Sequence, residues 1–160
     1  HSHPTLTNTL MAGIYSINSP QRLFEKLARD YAAFCAAPTE DGLWIAFFLL
    51  YHLREWICPG GYESYQRKPE CDRSREEVFH GKVYCIPEHQ VVRSLCNGFK
   101  HCKLEPLAGR TQAVQGFRVG LGRMGDSLGV THFMVDGQDI RDIFGPVYNA
   151  CLEFFTMDKS

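Results

Sequence analysis

The sequence predicts a mainly α-helical chain, an antiparallel helical bundle carrying a small β-hairpin. Three observations predict it. Apolar residues recur at three- and four-residue spacing over four long segments. Each segment begins at a helix start signal, a Pro, Ser, Thr or Asp in capping position. The period shortens to two residues in only one region, between Val114 and Val135. At 160 residues the chain is read as one domain with enough surface to bury a core, spanning residues 20–157.

The first helix starts at Ser19-Pro20, with Ser19 as N-cap and Pro20 at the first helical position, where its missing N–H loses nothing. Leu23, Phe24, Leu27, Tyr31, Phe34 and Cys35 form its apolar stripe, and it ends before Pro38. Thr39-Glu40-Asp41 opens a second helix whose stretch Leu43 to Tyr51 is wholly apolar. That run is too short for a membrane span and reads as a buried core helix ending at Pro59-Gly60-Gly61. Residues 59–86 are polar and charged and read as a long loop, with a short helical piece near Ser74 to Phe79 and poor order before it. A third helix runs from Pro87 to an end by Leu104, ahead of Pro106. Alternation from Val114 to Leu121 and from Leu128 to Val135 predicts two strands of a hairpin joined by a Gly-rich turn. Asp136-Gly137 is a tight turn, and Asp139 caps a last helix with a stripe of Ile140, Ile143, Phe144, Val147, Cys151, Phe154 and Phe155.

Composition narrows the function. A formal net charge of −1 gives no global attraction to nucleic acid or anionic membrane, so any polyanion site must be a local patch. The seven cysteines are scattered, several on apolar helical faces, which reads as buried free thiols in a reducing cytoplasm. The opening His-Ser-His has the character of a purification-tag remnant. Residues 1–19, without a charged segment leading into a long apolar run, are expected to be a flexible N-terminal stretch with no secretory signal.

Gly120-Leu-Gly-Arg-Met-Gly125 matches a dinucleotide-binding fingerprint, but that motif needs a helix directly after it and here a strand follows. Cys71, His80, Cys85 and His89 are the residues a zinc site would use; without a Cys-x-x-Cys pair in the chain they read as scattered thiols and loop histidines, and no metal or other cofactor is expected. His52 shares a helical face with Ile45, Phe48, Leu49 and Trp56, which places its ring at or near the core. The third helix holds the most capable constellation: Arg93, Asn97, Lys100 and His101 fall on one polar stripe, opposite Val92, Leu95, Cys96, Phe99 and Cys102. Cation, amide and imidazole together suit a phosphate, with the cations neutralising charge and the imidazole exchanging protons near neutral pH. The same four residues also fit a solvated helix face with no activity.

Tyr51-His-Leu-Arg-Glu-Trp56, Cys85-Ile-Pro87, Arg93 to Leu104 with its Asn97-Gly-Phe-Lys-His101 segment, and Val135-Asp-Gly137 leading to Phe154-Phe155 resemble a group of bacterial and phage proteins. That group is similar in turn to the HEPN superfamily, α-helical bundles found in toxin and antiphage systems. The resemblance covers roughly residues 43 to 156 and implies a metal-independent endoribonuclease in which a 2′-hydroxyl attacks the adjacent phosphate. Carried onto this chain, His101 matches the family histidine and Asn97 the polar residue that accompanies the arginine, with Arg93 and His52 assisting. Arg93 stands further from His101 than the family arginine does from its histidine, so Lys100 or Arg54 would supply phosphate-binding charge. Implied partners are RNA or a nucleotide and a second copy of the chain, without membrane. The competing reading is a non-catalytic interaction or nucleotide- and phosphate-sensing module.

Overall fold

The computed structural model describes residues 15–101 and 110–157. Within them the order is α1 (Pro20–Ala36), α2 (Glu40–Ile57), α3 (Gly61–Arg67), a 3-10 turn (Glu70–Asp72), α4 (Arg75–Tyr84), α5 (Pro87–Lys100), β1 (Thr111–Gln115), β2 (Thr131–Val135), β3 (Gln138–Asp139) and α6 (Ile140–Thr156). The chain is mainly helical with a small antiparallel sheet.

The capped starts form as their sequences dictate. Ser19 Oγ accepts the Arg22 N–H and Thr39 Oγ1 accepts the Gly42 N–H, each satisfying an otherwise unpaired donor of the first turn. Asp139 caps α6 through the Arg141 N–H. Three residues separate α1 from α2, and the two pack side by side; α6 closes the bundle against α5, α4, α1 and α2. The core lies between them, with Leu27, Phe47, Leu50, Leu53, Val92, Phe144 and Val147 almost wholly enclosed. Ile17, preceding α1, packs against its edge.

Three expectations are corrected. Residues 59–86 are not a long loop but α3, the 3-10 turn and α4. A capping box, Ser74 Oγ accepting from Glu77 N–H and Glu77 Oε2 from Ser74 N–H, carries the anticipated short helix on to Tyr84. The hairpin is a three-stranded sheet in the order β1-β2-β3. Its first strand pairs Thr111 with Val135 and Gln115 with Thr131, and gives way at Gly116, which adopts φ 88°. The alternation read onward to Leu121 ran through glycines that leave extended geometry, so residues 116–130 form a long irregular connection. The tight hairpin joins β2 to β3, where Asp136 (φ 50°) and Gly137 (φ 76°) both take the left-handed conformation that a two-residue turn requires. Finally, α2 buries Ala46, Phe47, Leu50, Leu53 and Ile57, not the face holding His52, because those residues complete the wider apolar stripe. Ile45 and Trp56 remain substantially exposed. The helix expected to end by Leu104 closes at Lys100, whereas Cys102, Leu104 and the opening His-Ser-His lie outside the described residues.

Candidate functional site

The polar stripe on α5 divides between solvent and the side packed on α4. The helix closes at Lys100, and His101 is its C-cap (φ −102°, ψ 3°), its N–H donating to the Asn97 and Phe99 carbonyls. Asn97, Lys100 and His101 are exposed, whereas Arg93 is half-buried and turned toward α4, donating from Nη1 to Tyr84 Oη at 3.1 Å. His52 is half-exposed on α2; its Nδ1 meets Glu55 Oε2 at 2.8 Å and its Nε2 lies 3.9 Å from Cys96 Sγ. Cys96, His52 and Glu55 thus stand in the order nucleophile, base, orienter. Burial, reinforced by Glu55, pushes the Cys96 thiol up to about 11, so it stays protonated and unreactive near neutral pH.

Arg54 is where sequence and structure meet most informatively. It sits among the core residues of α2 with 9 % of its surface exposed, its Cζ 5.5 Å from the Tyr51 ring centroid. Its Nε is sealed from solvent and has no hydrogen-bond partner, and no carboxylate pairs with it among the described residues. A buried guanidinium without a counter-charge is costly, and native folds keep one only where something else compensates it.

Around it is a cavity of about 560 Å³. Tyr51, Arg54 and Glu55 of α2 with its C-cap Cys58 form one wall, Pro59, Gly60 and the start of α3 at Gly61 its end, His80 and Tyr84 of α4 a second wall, and Arg93 of α5 the third. Gly61 is required there: its φ is 35°, and a Cβ would stand 2.6 Å from the His80 ring. His80 is buried, stacked on Tyr84 with centroids 6.1 Å apart, and neither ring nitrogen has a hydrogen-bond partner. Burial and the Arg54 charge hold its pKa below the usual imidazole range. Behind the wall, His89 is completely enclosed between Tyr51 and Tyr84, both nitrogens again unpaired. Burial, then Arg54, Arg93 and His80, push it down to about 4. Glu55 is the carboxylate lining the cavity, and it is engaged by His52.

The structure therefore brings Arg54 and Arg93 together and leaves Asn97, Lys100, His101 and His52 off the cavity lining. Sequence reasoning passed over Tyr84 and weighed His80 only as a zinc-site candidate in a loop; the Ser74-x-x-Glu77 capping box was the signal that could have placed both on a helix. Among the described residues no group of three or more His, Cys, Asp or Glu converges as metal ligands, and no helix is long and apolar enough to cross a membrane. Cations with an unpaired imidazole and tyrosines, and no opposing carboxylate at the buried end, form an environment for an anion with an aromatic or apolar body. No family model, curated protein or solved structure matches this chain.

Proposed function

We propose that the chain is a HEPN-like helical module that binds a phosphate group of RNA or of a nucleotide in the cavity between α2, α4 and α5. The observation that carries this reading is Arg54, a buried guanidinium whose Nε has no hydrogen-bond partner and which has no carboxylate partner among the described residues, facing the same space as Arg93. A phosphate there supplies the missing counter-charge and accepts bidentate hydrogen bonds from a planar donor. Binding of inorganic phosphate and of a short RNA, followed by titration calorimetry, tests it: wild type binds both, and Arg54→Met binds neither. Wild-type protein that is folded and binds neither ligand refutes it.

A cleaving version of the same module is favoured by one observation, the unpaired nitrogens of His80 beside Arg54. A neutral imidazole next to a phosphate-binding cation is a fit proton acceptor for attack by a 2′-hydroxyl. The relevant histidine is then His80 and not His101. RNA incubated with chelator separates these: cleavage is lost in His80→Ala and kept in His101→Ala. Uncut RNA with the wild type leaves the binding module alone. In the same reading two copies pair through the half-exposed aromatic face of Trp44, Phe48 and Phe99, and Phe99→Glu shifts the sedimentation mass to that of a monomer.

A further inference from the structure

We infer that the cavity selects a terminal, doubly charged phosphate carried on a small organic body, in preference to an internal phosphodiester linkage. This rests on the phosphate-binding reading and deepens it to a ligand class. Two guanidiniums face the cavity, and neither has a carboxylate partner among the described residues. Arg93 commits one N–H to Tyr84 and keeps the rest of its fork of donors; the Nε of Arg54 has no partner, and among the described residues its fork meets no acceptor. Glu55 stands at the solvent-exposed side, where water screens it and His52 holds it. The cavity lining thus sets two guanidiniums, one of them buried, against a single half-exposed carboxylate that His52 already engages.

A phosphodiester carries one charge and leaves one of the two guanidiniums uncompensated. A phosphate monoester carries close to two near neutral pH and offers three terminal oxygens to the two donor forks. Charge matching in a desolvated site discriminates strongly, because an unmatched ion there retains its desolvation penalty. Size gives the second half of the inference. A space of about 560 Å³ lies in the range of small-molecule sites and far exceeds a bare phosphate. Its other walls are the Tyr51 and Tyr84 rings, against which a planar group can lie. Nucleoside monophosphates and phosphorylated RNA ends share this chemistry.

The test titrates the full chain with a nucleoside 5′-monophosphate, a 5′-phosphorylated dinucleotide and the same dinucleotide lacking that phosphate. The first binds at least about tenfold tighter than the last, and Arg54→Met and Arg93→Met each remove most of that advantage, their folds checked by circular dichroism. Binding of the phosphorylated dinucleotide at the strength of the mononucleotide supports the inference with an RNA end as ligand, and binding of the mononucleotide alone supports it with a small ligand. Equal affinity for the dinucleotide with and without its terminal phosphate, lost in Arg54→Met, overturns the selection but leaves the phosphate site. No binding of any of the three by folded wild type overturns both.

Discussion

A single charged side chain, Arg54, sits within the core of α2 and carries the proposed phosphate site. Replacing Arg54 by Met keeps side-chain length and removes a buried charge that has no carboxylate partner among the described residues. The substitution is therefore expected to raise stability by about 1–2 kcal/mol, seen as a higher unfolding midpoint, while abolishing sulfate and phosphate binding. A midpoint lowered by that amount would show that Arg54 has a structural role instead. His80 gives a second expectation at this scale. The groups facing it are Tyr51, Arg54, Glu55 and Cys58 from α2, Tyr65 from α3, Tyr84 on its own helix, and His89 and Arg93 from α5. Arg54 is the charge that adds to burial in depressing its pKa, so an anion on Arg54 cancels that contribution and the imidazole takes up a proton. Sulfate, whose charge is constant across the range, should bind more tightly as the solution goes from about pH 8 to about pH 6. In His80→Asn that slope disappears while binding persists; a wild-type affinity flat with pH excludes the coupling.

Helix identity followed from local chemistry where a cap or a Pro stood directly before a clear apolar period. Ser19-Pro20, Thr39, Pro87 and Asp139 sit at the starts of α1, α2, α5 and α6, because a cap is decided by a few consecutive residues. Residues 59–86 hid their helices for the opposite reason. Within α4 the enclosed residues include Glu77 and His80 beside Phe79 and Val83, so polar letters occupy buried positions and the hydrophobic period is blurred. Arg93 and Arg54 were legible as cations, but their convergence with His80 and Tyr84 is a consequence of α4 packing against α2 and α5, which no periodicity reports. Of the α5 stripe, Arg93 turns to Tyr84 while Asn97, Lys100 and the C-cap His101 stay exposed, a division set by what packs on α5 and not by its period. Because α4 carries a cavity wall, its capping box should be felt at the site. Ser74→Ala removes the acceptor for the Glu77 N–H and is expected to lower stability by about 1 kcal/mol and to weaken sulfate binding. A loss of stability with unchanged sulfate affinity would show that the wall does not depend on its cap.

Across the whole molecule, the sheet, the 116–130 connection and α6 are fastened by one buried ionic network. Arg141, 2 % exposed, bonds both oxygens of Asp126 at 2.9 and 3.2 Å, both oxygens of Asp139, and the Cys35 carbonyl of α1. His132 of β2 lies 3.3 Å from both Asp139 and Arg141. Hydrogen bonds from Arg141 hold Asp126 down to about 2, against 3.8 for an ordinary aspartate. Its folded pKa is depressed, so its contribution is complete above 3.8 and fades as the pH falls from there toward 2. His89 acts in a different window. Its folded pKa of about 4 lies below the 6.5 of an exposed imidazole, so between those values the unfolded chain binds a proton that the native state refuses. Stability therefore falls on acidification through that interval, by on the order of 3 kcal/mol in full. Acid unfolding should proceed in two stages, the first set by the histidine behind the cavity and the second by the network under the sheet. His89→Leu, followed by urea denaturation at intervals of pH, should flatten the first stage and leave the second. Asp126→Asn should lower stability by about 3 kcal/mol near neutral pH, since it strips a buried guanidinium of one partner, and should flatten the second stage only. If His89→Leu leaves the decline above pH 4 intact, the enclosed imidazole is not its source and the charge on the cavity side must be sought elsewhere.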